Sequence, residues 1–206
     1  MRLTRPVRLS AAALAILFAA AIVAETVHAD DESQGKTRTV DAGDITLLVP
    51  QAWEEVEPPP QSRRFRVAQF NVPPAKDSEG PAELVVYYFG GSGGGVDANL
   101  ERWIGQFEAE GREAKAAQGE SQAGPYVIVE VSGTYNKPVG PPVLGKTERT
   151  ENSQMLAVVL AVPDKGNYFL KLTGPKETVA KAAEGFRRAF GGSADKETEY
   201  KPKGDS

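Results

Sequence analysis

The 206-residue chain has no cysteine, one histidine, two methionines and two tryptophans. Without cysteine, no disulfide braces the fold and no thiolate serves as nucleophile or metal ligand. The one histidine, His28, lies in an N-terminal segment that reads as a leader, so the remainder has no imidazole either. These absences exclude a Ser-His-Asp triad, a cysteine nucleophile, a Cys/His zinc site and a histidine general base. Long apolar runs are equally scarce. The one present, Leu9 to Ala24, is interrupted only by Ser10.

That run follows Arg2, Arg5 and Arg8 and precedes Val27-His28-Ala29, which offers small residues at −3 and −1. A basic start, an apolar centre and a small-residue site predict a signal peptide over 1–29, cleaved after Ala29. The run is 16 residues long, short of the ~20 that span a bilayer, which argues against an uncleaved anchor. No cysteine follows the run to carry a lipid, and no Arg-Arg pair precedes it to favour twin-arginine export. The expected location is the periplasm or the exterior, with no membrane span in the mature chain. Cleavage removes Arg2, Arg5, Arg8 and Glu25, leaving 21 basic and 27 acidic residues, a net charge of −6. An acidic chain in which Arg63-Arg64 and Arg66 have no basic continuation argues against nucleic acid as a partner.

Residues 30–42 and 193–206 are polar and aperiodic. They read as a flexible linker and a disordered tail around a single globular domain over 43–192. Strands are expected at Ile45–Val49, Phe65–Val72, Glu83–Phe89, Tyr126–Tyr135, Gln154–Val162 and Tyr168–Leu172. Leu100, Trp103, Ile104 and Phe107 recur at helical period after Asp97, a suitable N-cap, and Gly111 offers a stop. Val179, Ala182, Ala183, Phe186 and Phe190 form the stripe of a second helix that Gly191-Gly192 ends. The order is β-β-β-α-β-β-β-α. Strands 83–89 and 155–162 are apolar on both faces, so the sheet they belong to is covered on both sides. The expected fold class is α+β: an α/β/α sandwich around a mostly antiparallel six-stranded sheet, with two amphipathic helices. Short connections favour hairpins among the first three strands and between the last two.

Chemistry is harder to find. The turn Gly90–Gly95 opens a helix, and Gly93, Gly95 and Ala98 match a loose dinucleotide pattern. However, no lysine follows as in a phosphate loop, and Asp97 stands where a phosphate would sit, so a flexible turn is the simpler reading. Paired carboxylates hydrolyse glycosides without histidine. Glu54, Glu55, Glu57, Glu83, Glu130, Glu148 and Glu151 are the candidates, Glu130 foremost because it interrupts an apolar strand. Its alternative is an edge position paired with lysine or arginine. No calcium loop and no serine-nucleophile motif is present, and Ser92 has no visible base. Arg187-Arg188 suit the C-terminal end of a helix. The segment 136–153 is long, Pro-rich and irregular, and reads either as a partner-docking arm or as a packed surface loop.

Several fragments carry a resemblance. They are Pro50-x-x-Trp53, Tyr87-Tyr88-Phe89 with its Gly-rich turn, Arg102-Trp103-x-x-Gln106-Phe107, Gly140-Pro141-Pro142, Met155–Val159 and Tyr168–Pro175. Together they resemble a family of uncharacterised exported bacterial proteins over about residues 43–192. The opening P-x-x-W and the closing strand-helix unit are also distantly similar to the Mog1/PsbP-like α/β/α sandwich. That resemblance implies an accessory or binding role rather than catalysis, and it supplies no catalytic residue. The reading is a non-catalytic exported module that binds a protein or envelope component, with no catalytic, cofactor-binding or metal residue assigned and no cofactor. The alternatives are a carboxylate-dependent hydrolase of saccharides and a small-ligand carrier with a pocket lined by Tyr87, Tyr88 and Phe169.

Overall fold

The computed structural model describes residues 35–140 and 144–202. The leader expected over 1–29 lies outside them. The elements run β1 (Thr37–Ala42), β2 (Ile45–Pro50), β3 (Glu54–Glu55), β4 (Arg66–Val72), β5 (Ala82–Tyr88), α1 (Val96–Ile104), β6 (Glu113–Ser121), β7 (Gly124–Pro138), β8 (Thr147–Val162), β9 (Gly166–Pro175), α2 (Lys176–Ala189) and β10 (Thr198–Glu199). The fold of the described residues is α+β, with antiparallel strands and the two helices α1 and α2. Its main sheet has eight strands, not the six expected, in the order β10-β6-β7-β8-β9-β5-β4-β3. β1 and β2 form a separate two-stranded sheet, so β2 does not join β4 in the hairpin its short connection favoured. The hairpins β4–β5 and β8–β9 do form.

The sheet is apolar on both faces because both are covered. On the first face, α2 and the β1–β2 hairpin bring Val179, Phe186, Leu47 and Trp53 onto Leu84, Val86, Leu156, Val158, Leu170 and Leu172. On the second, α1 brings Leu100 and Trp103 onto Val129, Val131, Met155, Ala157, Val159 and Phe169. α1 has nine residues, so at 1.5 Å per residue it is only about 13 Å long. It covers one part of its face and leaves the part over β5 and β9 open. No helix among the described residues is long and apolar enough to cross a membrane.

Four further expectations need correction. The linker 30–42 contains β1, whose Val40 and Ala42 are buried because β1 pairs along its whole length with β2. β6 was not foreseen, since EAKAAQGES is rich in helix formers. Nine registered pairs with β7 override that preference, and small alanines suit a strand that is mostly exposed. The irregular segment 136–153 is the outer part of the β7–β8 hairpin, paired out to Pro138 and Thr147. α1 starts after Gly95 and ends at Ile104, so neither an Asp97 cap nor a stop at Gly111 is used.

Asp97 has another partner. Of the C-terminal segment 193–206, expected as a disordered tail, the described part, 193–202, folds back over the domain. Arg187 donates from Nε to Glu197 Oε1 at 2.8 Å and from Nη2 to Glu197 Oε2 at 3.1 Å. Tyr200 N donates to Ala116 O at 3.0 Å, and its hydroxyl donates to Asp97 Oδ1 at 2.8 Å. The tail therefore straps β6 to the first turn of α1. Tyr200→Phe removes one bond to a charged acceptor and is expected to lower stability by about 1 kcal/mol. Hydrogen exchange should rise in α1 and not in α2. Equal exchange in both helices would contradict the strap.

Candidate functional site

The open part of the second face is a cleft of about 810 Å³ between the sheet, the end of α1 and the outer β7–β8 hairpin. Its floor follows from the register. One row of cross-strand neighbours is Gln69, Val85, Lys171 and Ala157. The row on one side holds Arg66, Tyr87, Phe169 and Val159, and the row on the other holds Asn71, Glu83, Thr173 and Met155. Aromatic rings therefore wall one end and polar groups the other. Trp103 stands edge-on to Phe169 at 6.3 Å, and Phe89 packs on both Tyr87 and Phe169 at 5.9 and 5.7 Å.

Two bulges set which side chains enter. Regular alternation along β4 would put Val67, not Arg66, opposite Tyr87. The ladder slips between Arg66 and Ala68, so Val67 and Ala68 both pack toward the first core and Arg66 takes the place beside Tyr87. Its guanidinium carbon lies 5.5 Å from the Tyr87 ring centre, a cation–π contact. In the second bulge the extra residue lies on β8, where Asn152 has φ +47°. Beyond it, Thr150 and Glu148 pair with Tyr135 and Lys137 and turn into the cleft. The paired strands of the 136–153 segment thus supply one wall of the cleft through Lys137, Pro138, Glu148, Thr150 and Ser153.

Lys171 is the central group. Its neighbours Leu170 and Leu172 point into the first core, so alternation sends its amine to the cleft floor. Nζ donates to Gln106 Oε1 at 2.7 Å and to Tyr135 Oη at 3.0 Å. Among the described residues it has no ion-pair partner. Burial lowers its pKa to about 8; Glu83 opposes that shift, and the Arg102 and Arg66 charges add to it. Gln106 is positioned by the backbone just past α1: Asn136 N donates to Gln106 O at 2.8 Å, and Glu108 N to Thr134 O at 2.9 Å. Burial also raises the Tyr135 hydroxyl well above the usual phenol range, with the Tyr87 and Glu83 charges adding to it. Tyr135 stays a neutral phenol.

The two arginines carry no direct ion pair among the described residues. Arg66 Nη1 donates to Gln69 Oε1 at 3.1 Å, and Gln69 Nε2 donates to Glu83 Oε1 at 2.7 Å, so one amide stands between cation and carboxylate. Arg66 Nε is buried with no acceptor. Arg102, on the last turn of α1 at the rim, donates to Asn99 Oδ1. Lys171 and Arg66 on the floor and Arg102 at the rim thus face one carboxylate, Glu83, while Lys137 and Glu148 balance across the hairpin rim. A cleft with this charge suits an anion, and a volume of this size suits a small organic molecule.

The residues singled out in the sequence separate here. Glu55 pairs with Arg38 and Glu57 with Arg63 on the surface, and Glu54 is exposed on β3. Glu130 accepts from Gln154 Nε2 at 2.8 Å and pairs with Lys115 at 3.2 Å, which is the ion-paired alternative. Glu151 pairs with Arg149. Only Glu83 and Glu148 of that group line the cleft. Tyr87 and Phe169 come together as grouped, but Tyr88 points to the other face and stacks on Tyr168 at 4.7 Å. The Gly-rich turn is tied to the start of β9: Asn167 N donates to Gly91 O at 2.9 Å and Asn167 Nδ2 to Ser92 O at 2.7 Å. Gly166 makes that approach possible, since a Cβ there would lie 2.2 Å from Gly91 O at φ +100°.

Among the described residues no three His, Cys, Asp or Glu side chains are placed to hold a metal ion. Lys171, Arg66 and Tyr135 were not foreseen as a site. Lys171 had a visible signal, a lone charge in the buried strand YFLKL. Compared with protein-family models and with curated proteins, the chain matches none.

Proposed function

We propose that this chain is an exported, non-catalytic binding module whose cleft holds a small organic anion. One observation carries the reading: Lys171 lies on the cleft floor, and among the described residues neither it nor the cleft's Arg66 and Arg102 has an ion-paired carboxylate. A buried ammonium with only neutral partners is unfavourable, and a bound anion relieves that penalty. Arg66 at the floor and Arg102 at the rim give the anion planar, two-donor contacts. Val85, Tyr87, Phe89, Trp103 and Phe169 receive an apolar or ring-bearing body. This joins the small-ligand alternative to the accessory-module reading and gives the ligand a charge.

The test is a melting-temperature series on residues 30–206 with aromatic carboxylates, phosphate esters and neutral sugars. Ligand at 100 times its dissociation constant adds about 2.7 kcal/mol, a rise of roughly 5–10 °C for a domain of this size. The rise should appear with anions, be absent with sugars, and vanish in Arg66→Ala/Arg102→Ala. A flat response to every anion overturns the proposal, and so does an equal rise in the double variant.

A further inference from the structure

The anion-binding reading leaves the amine of Lys171 unexplained in one respect. An anion site needs only fixed positive charge, and the two arginines supply it. Lys171 shares the cleft with them, its Nζ held by an amide oxygen and a phenol, 2.7 and 3.0 Å away, and among the described residues no carboxylate forms an ion pair with it. A lysine so placed, open to a ligand-sized cleft, is set up to act as an amine nucleophile. We infer that Lys171 captures its ligand covalently, as an imine, and that the ligand is an oxo acid whose carbonyl stands beside its carboxylate. This rests on the anion-binding reading, because the arginines must hold the carboxylate for the carbonyl to reach Nζ.

The step balances without an outside reagent. The neutral amine adds to the carbonyl carbon, a C–N bond forms, and the carbonyl oxygen takes a proton to give a carbinolamine. Loss of that oxygen as water leaves C=N, and hydrolysis reverses the sequence. Tyr135 Oη, 3.0 Å from Nζ, is within reach of the departing oxygen, and it donates to Gln106 Oε1 at 3.4 Å in the free cleft. It stays protonated in the free cleft, so its role there is to hydrogen-bond that oxygen as the proton is exchanged. In the free cleft, with its pKa at about 8, Lys171 has roughly a two-hundredfold larger neutral fraction at pH 7.5 than an ordinary lysine; a bound carboxylate, paired with the arginines, offsets part of that gain. Lys165, by contrast, is exposed on the surface and lies 3.5 Å from Asp44 Oδ1.

The experiment uses phenylpyruvate, which carries the carboxylate, the neighbouring carbonyl and a ring for the aromatic wall. Wild-type protein is incubated with phenylpyruvate and borohydride at pH 7.5, digested and mapped by mass spectrometry. The expected result is one reduced adduct, on the peptide containing Lys171, with at least tenfold more label there than at any other lysine. Lys165→Arg should leave its yield unchanged. Label spread evenly over the surface lysines overturns the inference. Melting with phenyllactate, which has the same anion and ring but no carbonyl, runs in parallel without reductant. A phenyllactate shift without the adduct overturns imine capture alone. No shift and no adduct overturns both readings.

Discussion

Lys171→Met should make the protein more stable and less able to bind. At pH 7 the folded wild type holds a protonated lysine in surroundings that favour the neutral amine. Burial is the main cause, with Arg102 and Arg66 adding to it against Glu83. A fall from 10.5 to about 8 corresponds to roughly 3 kcal/mol against the folded state. The two hydrogen bonds from Nζ offset about 1 kcal/mol of that, so methionine should gain on the order of 2 kcal/mol. The pH dependence gives the sharper signature. Between about pH 8 and 10.5 the unfolded wild type still binds the proton that the folded protein has released. Its stability therefore rises with pH through that window, relative to the methionine variant, and the two converge above it. Tyr135, which the unfolded chain ionises from about pH 10 and the folded protein does not, lowers the stability of both proteins alike and so cancels in the gap. Urea midpoints of both proteins at pH 7 and pH 10 measure the effect. A gap that does not narrow with pH would contradict the assignment. The anion-induced rise in melting temperature should shrink or disappear in the same variant, the usual conflict between stability and function at a binding site.

Trp53→Ala should have the largest effect on folding. Trp53 is 1% exposed and wedges the turn after β2 beneath α2, where a Cβ on Gly185 would lie 3.4 Å from its Cζ2. Its backbone carbonyl also accepts from Arg38 Nη2 at 3.2 Å, tying it to β1. Truncating a buried aromatic costs about 3–5 kcal/mol through lost burial and the cavity left behind. That is a large part of the 5–15 kcal/mol typical of a domain. Trp53 lies in the first-face core and does not line the cleft. At temperatures where the variant stays folded, its affinity for anions should match the wild type. A loss below 1 kcal/mol in urea would mean that the β1–β2 hairpin is not part of the cooperative core.

These two residues also mark what the sequence revealed and what it hid. Trp53 and the strands around Val86, Leu156 and Leu170 are legible because apolar alternation is a local signal that tertiary structure reinforces. β6 was not legible, since Ala114, Lys115, Ala116, Ala117 and Gln118 favour a helix until β7 offers a pairing edge. β1 was hidden for a related reason: Thr37, Arg38 and Asp41 look solvated, and only the pairing with β2 buries Val40 and Ala42. The cleft depends on longer-range facts. Alternation alone would send Arg66 into the first core, and a bulge reverses it. Tyr135 and Lys171 are 36 residues apart and meet only through β8. Among the charges in apolar strands, Glu130 drew notice and proved to be ion-paired near the sheet edge. Lys171, unpaired and central, was the more telling one.

The central claim is that positive charge in this cleft selects an organic anion, and it is tested most directly by titration calorimetry of one acid against its amide. Phenylacetate and phenylacetamide share the same ring and nearly the same shape, and differ in the charge that Arg66, Arg102 and Lys171 would meet. The account predicts that the acid binds at least tenfold more tightly, and that its advantage falls as salt is raised from 0.05 to 0.5 M. Equal affinities for acid and amide, or no heat with either, would contradict it.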